Sequence, residues 1–533
     1  MILDARDLPD GEHLAADLCI IGAGAAGITI ARELAESEVS VLVLESGGLD
    51  YDERTQALYQ GENVGLPYDD LDVPRLRYFG GTTNHWAGWC RPLDPIDFAP
   101  RPGFREVGWP FGRAEIDPFY RRAQPVCQLG PFAYDDVAAW ARGAHWPLPP
   151  FEGGALRSAL FQISPPTRFG EVYGPELKRA GNVTVQLNAN VVQIRTDEAG
   201  GTVMELACRV LDGPAFTVAA RHVVLATGGL ENARILLLSD QTATAGLGNG
   251  RDQVGRYFMD HVWFETLAYV AFSGAGADLP GHFGGAVHQG VPSFLALAPT
   301  PKGIDGGGAF RFVLRPNYVS RRGTDSLKAV AGAFKRLAWP DDFAGHIANI
   351  IDDADVVAGA IYKNLFGGSR NPFAEAAPGA GPVPGAYLDL NLEQQPNPDS
   401  RVGLARRTDA LGQRRIQLDW RLTDRDRRTF GRAVQVLARE LGRTGLGRVK
   451  ADFDPAGDDW PMAFTGSRHH MGTTRMHTEP GQGVVNADCR VHGISNLFIA
   501  GSSIFPTSGF ANPTLTIVAL SLRLADHLKR LFA

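Results

Sequence analysis

The most constraining feature of the 533-residue sequence lies near its start. A short apolar run, Asp17 to Ile21, leads at once into Gly22-Ala23-Gly24-Ala25-Ala26-Gly27. Helical spacing follows over Ile28 to Ala35, and a second apolar run, Val41 to Leu44, ends in Glu45. Strand, glycine turn, helix and strand-terminal acid in this order predict a dinucleotide-binding unit. Gly22 permits the tight turn, Gly24 lets a pyrophosphate approach the backbone, and Gly27 lets helix and strand pack closely. The N–H groups at the helix start then face the phosphates. Glu45 stands where a carboxylate accepts ribose hydroxyls. The motif alone does not choose between FAD and NAD. A second such fingerprint is absent from the sequence, which disfavours a separate nicotinamide domain.

Further along, Gly80-Gly81-Thr82-Thr83-Asn84-His85-Trp86 reads as a shaped loop. Strand-like patterning covers Val183 to Ile194, Thr202 to Val210 and Val223 to Thr227, the last entering Gly228-Gly229 and a helix from Glu231 to Leu238. From about Tyr257 to Phe464 the texture changes. Strand-like runs at Phe310 to Leu314, Tyr387 to Leu392 and Ile416 to Trp420 alternate with loops, and Ser326 to Leu337 and Arg425 to Leu441 have amphipathic helical spacing. Pro378 to Pro384 reads as a loop or boundary. The tail returns to strand, turn and helix: Leu497 to Ala500, Gly501, then Pro513 to Leu531. The expected fold class is therefore α/β. A discontinuous Rossmann-like domain occupies residues 1–256, with a cap-like segment at about 95–160, and is completed by 465–533. An α+β substrate domain on an antiparallel sheet occupies 257–464.

These motifs resemble, in order and over nearly the whole chain, those of the glucose–methanol–choline (GMC) oxidoreductases. The anchors are the Gly22 and Gly80-Gly81 loops, Ala226-Thr227-Gly228-Gly229-Leu230-Glu231, Val254-Gly255-Arg256, His469-His470-Met471-Gly472-Thr473, and Phe498 through Thr514. The Asn84-His85-Trp86 loop and Asn512 lean toward the pyranose-oxidase and sugar-dehydrogenase branch. The resemblance implies FAD, with Gly22, Gly24 and Gly27 at the pyrophosphate and Glu45 at the ribose. It implies Val191 at the adenine, Gly80, Gly81 and Thr82 at a second phosphate contact, and Asn84, His85, Trp86 and Ala87 against the flavin. Ala226 joins the cofactor contacts, Gly501 meets the ribityl or phosphate, and Thr514 offers its N–H to the pyrimidine side of the ring. His85 matches a position that some members bond covalently to the flavin and others leave unbonded, so both states stay open here.

The resemblance also implies a catalytic pair. His469 would take the hydroxyl proton and, once protonated, stabilise reduced flavin; Asn512 would orient the hydroxyl. An imidazole suits that task because its ordinary pKa lies near working pH. His470 would face away and pack, His261 would be structural at a domain junction, and Gln394, Gln395 and Trp420 could line a polar pocket. The implied reaction is oxidation of an alcohol group on a sugar, glycoside or polyol. Oxidation of a cyclic or aryl alcohol, or non-redox lyase chemistry on the same scaffold, stands as the alternative. The electron acceptor is oxygen, a quinone or a partner protein.

Composition bounds the rest. The formal net charge is −7 with no long basic stripe, which argues against nucleic acid as a partner. The five cysteines form no CxxC pair, so neither a disulfide framework nor a thiolate metal or iron–sulfur site is expected, and no other metal site is read from the histidines. The opening residues lack a secretion-signal pattern and no run is long and apolar enough for a membrane span, so the expected location is cytoplasmic.

Overall fold

The structure is a computed structural model. It describes residues 1–101, 108–273, 290–304, 307–316, 322–335, 342–352, 385–457 and 464–533, with isolated positions between them. The expected loop at Pro378 to Pro384, and the last residues of the expected 326–337 helix, lie outside the described residues.

An eight-stranded sheet carries the nucleotide motif. Its order is Ile2–Asp4, Val183–Leu187, Val41–Leu44, Glu12–Ile21, Ala215–Leu225, Val203–Arg209 and Asn190–Thr196, with Leu497–Ile499 also pairing with Ala215–Leu225. All pairings are parallel except those of the last two strands in that order. Parallel strands are covered on both faces and so read as continuous apolar runs. Cys19, Ile20, Val43, Val224 and Phe498 are fully buried accordingly. The C-terminal strand Leu497–Ile499 pairs with a strand far earlier in the chain, at Val223↔Leu497 through Leu225↔Ile499.

The alternation over 183–194 is two strands rather than one. Asn188 takes φ +56° between Val183–Leu187 and Asn190–Thr196, and its side-chain amide donates to Asp4 at 3.0 Å. Asparagine tolerates this left-handed turn better than its apolar neighbours would. The two strands consequently lie toward opposite ends of the sheet.

A nine-stranded sheet forms the second layer, running Gly447–Lys450, Val262–Phe272, Gly385–Leu392, Phe310–Pro316, Val291–Pro299, Leu156–Ile163 and Trp89–Cys90, with Ala286–His288 and Thr465–Gly466 pairing alongside. Its pairings are antiparallel. The expected strand at Ile416 to Trp420 belongs elsewhere. Arg414–Asp419 pairs with Arg401–Thr408 and, in parallel, with Gly61–Asn63 in a small third sheet. The register of the antiparallel sheet sets Trp263, Asn391 and Arg311 side by side across three adjacent strands. Alternation buries Val262, Phe264, Phe310 and Phe312 on the opposite face.

Helices Ala25–Glu33, Gly228–Leu238, Asp424–Arg443 and Thr514–Phe532 match the helical periods of the sequence to within a few residues. The helix Asp424–Arg443 opens on a Thr423/Asp426 capping box, a local signal for its start. Among the described residues no helix is long and apolar enough to cross a membrane. All five cysteines are buried and free.

Candidate active site

Between the two large sheets lies a cavity of about 430 Å³. Gly22, Glu45, Ala226 and Gly501 line it, each at the C-terminal end of a parallel strand. That edge is where open α/β sheets bind ligands.

The three motif glycines divide the work. Gly22 takes φ +104°, and a Cβ there would sit 2.7 Å from the Ala226 carbonyl oxygen. A Cβ on Gly27 would come within 1.9 Å of the Gly22 carbonyl oxygen, so only glycine lets this helix cross its strand. Gly27 accordingly packs and does not line the cavity. A Cβ on Gly24 would meet nothing within 4 Å. It would project into free space at the start of Ala25–Glu33, a helix with no side-chain cap and no acid in its first turn. Its leading N–H groups are thus available to an anion. Gly81 faces Gly24 across the gap, its Cβ position 3.1 Å from Gly24 Cα. Glu45 is buried, and its carboxylate accepts from the N–H groups of Ala23 at 2.9 Å and Gly47 at 3.0 Å, which fixes it beside the loop. Thr514 begins the uncapped C-terminal helix and also lines the cavity. An uncapped helix start, a glycine left open to space, a fixed acid and a second uncapped helix start fit a dinucleotide with a flavin ring.

The Gly80 loop is shaped as expected, with its residues used unequally. Gly80 takes φ +94° and packs against Gly170. Thr82, His85, Trp86 and Ala87 line the cavity. Trp86 is held by donating from Nε1 to the Thr167 carbonyl at 3.0 Å. Asn84 does not line the cavity, since its amide donates to the Phe79 carbonyl at 3.0 Å and ties the loop to its own start. Val191 sits on the edge strand Asn190–Thr196, outside the cavity lining. The His85 ring borders the cavity beside the Pro74 carbonyl, and partial burial lowers its pKa.

His469 and Asn512 converge at the cavity, Asn512 Nδ2 lying 3.2 Å from His469 Nε2. Their neighbours set the direction of every hydrogen bond. His261 Nε2 lies 2.9 Å from the Gly509 carbonyl and 3.3 Å from that of Ser508, so it must donate. His261 Nδ1 is then the acceptor for His469 Nδ1–H at 2.9 Å. His469 Nε2 is thereby left as the lone-pair nitrogen facing Asn512. At the far side, Arg311 Nη1 donates to Asn512 Oδ1 at 2.5 Å, which turns the amide nitrogen toward His469. Burial, followed by His261, Arg311 and His470, holds the His469 pKa well below its ordinary value. Burial with Arg311 nearby lowers His261 to about 4.

The backbone that carries His469 is clamped by Asp260. One carboxylate oxygen accepts from the N–H groups of His261 at 2.7 Å and His469 at 2.9 Å. The other accepts from Arg468 N–H at 2.9 Å and from the Tyr68 hydroxyl. Arg468 holds φ +65°, a costly conformation for a residue with a side chain, just before His469. Burial raises Asp260 to about 6 against the opposing pull of those four donors.

The geometry corrects the sequence expectations at several residues. His261 is not merely a junction residue, because it bonds His469 directly. His470 packs against Tyr68 and Phe258 as expected, yet it also lines the cavity, with Nε2 lacking a partner among the described residues. Gln394, Gln395 and Trp420 are buried away from the cavity. Gln394 Oε1 accepts from Trp420 Nε1 and from Asp260 N–H, and Gln395 N–H donates to Asp426. Arg311 and Asp260 escaped the sequence reading altogether. The available signals were an arginine between two phenylalanines in a strand and an Asp-His pair after Met259.

A GMC oxidoreductase family model matches residues 396–521, and a model of FAD-dependent oxidoreductases matches residues 17–243. Together with the relatives below, these two matches support the GMC oxidoreductase family for this chain. It is an FAD-dependent oxidoreductase acting on alcohol donors. The chain is similar to paromamine 6'-oxidase of Streptomyces fradiae, at 25% identity over 98% of this chain and 92% of the relative. It is similar also to the large subunit of fructose dehydrogenase of Gluconobacter japonicus, at 24% identity over 97% and 98%. Among solved structures, pyridoxine 4-oxidase from Mesorbium loti superposes with a TM-score of 0.58 at 18% identity, covering 97% of this chain and 99% of that one. That likeness concerns the fold.

Proposed function

We propose that this GMC oxidoreductase oxidises a hydroxyl group of a sugar, glycoside or polyol, with His469 as the base and Asn512 as the group that orients the hydroxyl. The observation that carries the reading is the fixed pair at the cavity, His469 Nε2 and Asn512 Nδ2, 3.2 Å apart. A neutral imidazole lone pair and an amide donor converging on one point can accept a hydroxyl proton and hold its oxygen. FAD, when bound, supplies the hydride acceptor. His469 takes the proton at Nε2 while Nδ1–H stays bonded to His261, and Asn512 keeps the oxygen in place. Gly22, Gly24, Gly81 and Glu45 are the proposed cradle for the pyrophosphate and ribose. Trp86, Ala87 and Thr514 are proposed for the flavin ring, with Gly501 nearby.

Sugar chemistry is supported by the names of two relatives. One acts on fructose and the other on paromamine at its 6' position. Asn at position 512 and the Asn84-His85-Trp86 loop point the same way. His85 is the candidate for a covalent link to flavin, because its ring borders the cavity. Acid precipitation separates the two states: flavin that stays with the chain is bonded, and flavin in the supernatant is not.

The test of the substrate class is anaerobic. Purified holoenzyme is mixed with panels of sugars, glycosides, polyols and aryl alcohols, and flavin absorbance is followed at about 450 nm, a reporter of hydride transfer. Bleaching by the sugar panel supports the proposal, and subsequent admission of air tells oxygen from a quinone or partner protein as acceptor. Bleaching by aryl alcohols alone overturns the sugar reading. Turnover of a donor without bleaching favours lyase chemistry.

A further inference from the structure

Arg311 is 3% exposed and lines the cavity, yet among the described residues it has no carboxylate partner. Its surroundings contrast with those of three other buried arginines, while Arg75, buried at the same cavity without a carboxylate, donates instead to the carbonyls of Leu71 and Tyr59 at 2.8 Å each. Arg101 is bonded at both ends to Glu393, Arg91 pairs with Asp94, and Arg234 pairs with Asp409 and Glu231. A buried cation without a counter-charge is costly, which is why buried charges are paired. Here the fold leaves that cost standing. Arg311 Nη1 donates to Asn512 Oδ1, while Nε is buried without an acceptor and Nη2 makes no bond, both among the described residues. The rings of Trp89 and Phe161 flank the guanidinium, with centroids at 5.3 and 5.0 Å, and hold its plane. The strand register aims the side chain at the cavity beside Trp263.

We propose that Arg311 receives a carboxylate of the substrate, so that the donor alcohol is a sugar acid in preference to a neutral sugar. This rests on the reading that His469 and Asn512 receive a sugar hydroxyl. Burial lowers the arginine to about 9, which leaves it charged at neutral pH. The guanidinium is two hydrogen bonds and one amide away from the point where the hydroxyl would bind, a path of roughly 7 Å of which about 3 Å is the bond from guanidinium to carboxylate. A carboxylate about two or three bonds from the carbinol carbon fills the rest. A guanidinium edge matches a planar carboxylate well. A phosphate dianion asks for more donors than this single free edge provides. The other arginine beside His469, Arg468, is already bonded to Asp69 at 2.8 Å.

The experiment compares matched donors on the FAD-loaded full chain at constant ionic strength: glucuronate with glucose, galacturonate with galactose, gluconate with glucitol. The acid member of at least one pair is expected to show a kcat/KM higher by about tenfold or more, the size of a charge-assisted hydrogen bond. Because Arg311 also orients Asn512, Arg311→Gln is expected to slow both members. The acid-to-neutral ratio is the diagnostic quantity, and it should collapse toward unity in Arg311→Gln and survive in part in Arg311→Lys. Flavin content and melting temperature establish that each variant is folded. As a binding readout, acetate should compete with a neutral sugar in the wild type, acetamide should not, and Arg311→Gln should lose the competition. Equal or better use of the neutral members, or a ratio unchanged by Arg311→Gln, overturns the inference and leaves the sugar reading intact. Flavin reduction by neither member of any pair overturns the sugar reading itself, and the inference with it.

Discussion

His261 and His469 meet Nδ1 to Nδ1 at 2.9 Å, and the carbonyls of Ser508 and Gly509 on the far side of His261 decide which of them donates. The proton of His469 is thereby placed on Nδ1, and Nε2 is kept free for the substrate. Replacing His261 by Phe removes the acceptor and lets the His469 ring take the other tautomer. Misorientation on this scale costs about a hundredfold in rate. The expected result is a drop of that order in the rate of flavin reduction, with KM changed little. A variant as fast as the wild type would show that the tautomer is set by another contact.

The pH dependence comes from the same burial. His469 is held well below the ordinary imidazole pKa because burial, His261 and Arg311 all oppose its positive charge. The group is lowered, so its neutral, base-competent form persists as pH falls through 6.5 and is lost only at lower pH. The acid limb of kcat/KM is expected below pH 6.5. A limb at or above that value would contradict the assignment.

Asp260 offers a separate test of how the histidine is carried. Asp260→Asn keeps the shape but replaces one acceptor oxygen with an amide, opposing the Arg468 N–H or its neighbours. An orphaned buried donor costs about 1–3 kcal/mol. A fall in melting temperature of corresponding size is expected, together with slower flavin reduction, since the left-handed turn at Arg468 loses its tether. Unchanged stability would mean that the loop holds its form without the carboxylate.

The glycines separate folding from cofactor binding. Gly24→Ala adds a methyl group that meets no protein atom within 4 Å, at a backbone φ of −87° that alanine accepts. The apoprotein is expected to fold normally and to bind FAD more weakly. Gly27→Ala drives its Cβ to 1.9 Å from a carbonyl oxygen and is expected to unfold the chain. Equal FAD affinity of Gly24→Ala and the wild type, measured by flavin fluorescence titration, would remove Gly24 from the pyrophosphate cradle.

How much of the fold and the site was legible in the sequence depends on the distance over which each signal acts. The nucleotide loop was readable because its strand, glycines, helix and acid are contiguous, and Val41–Leu44 appears with the expected bounds. The long helix Asp424–Arg443 announced itself through its apolar stripe, and the structure adds the Thr423/Asp426 capping box that fixes its start. The break at Asn188 was invisible to a pattern search, since alternation continues through it and only the turn sends the two strands to different places. The site was half legible. His469 and Asn512 lie in motifs of their own, whereas His261 and Arg311 reach them from distant segments, 208 and 201 positions away in the chain. Asn84 shows the converse: a motif position whose side chain serves the loop itself.

The most direct measurement is anaerobic single-turnover mixing of wild-type holoenzyme and His469→Ala with one reactive sugar, following flavin absorbance at about 450 nm. Loss of a positioned base costs about 10²–10⁴-fold in the chemical step. The expected result is flavin reduction slowed by that factor in His469→Ala, with FAD content and melting temperature unchanged. Flavin reduction at the wild-type rate in a folded, FAD-loaded His469→Ala would contradict the assignment of His469 as the base.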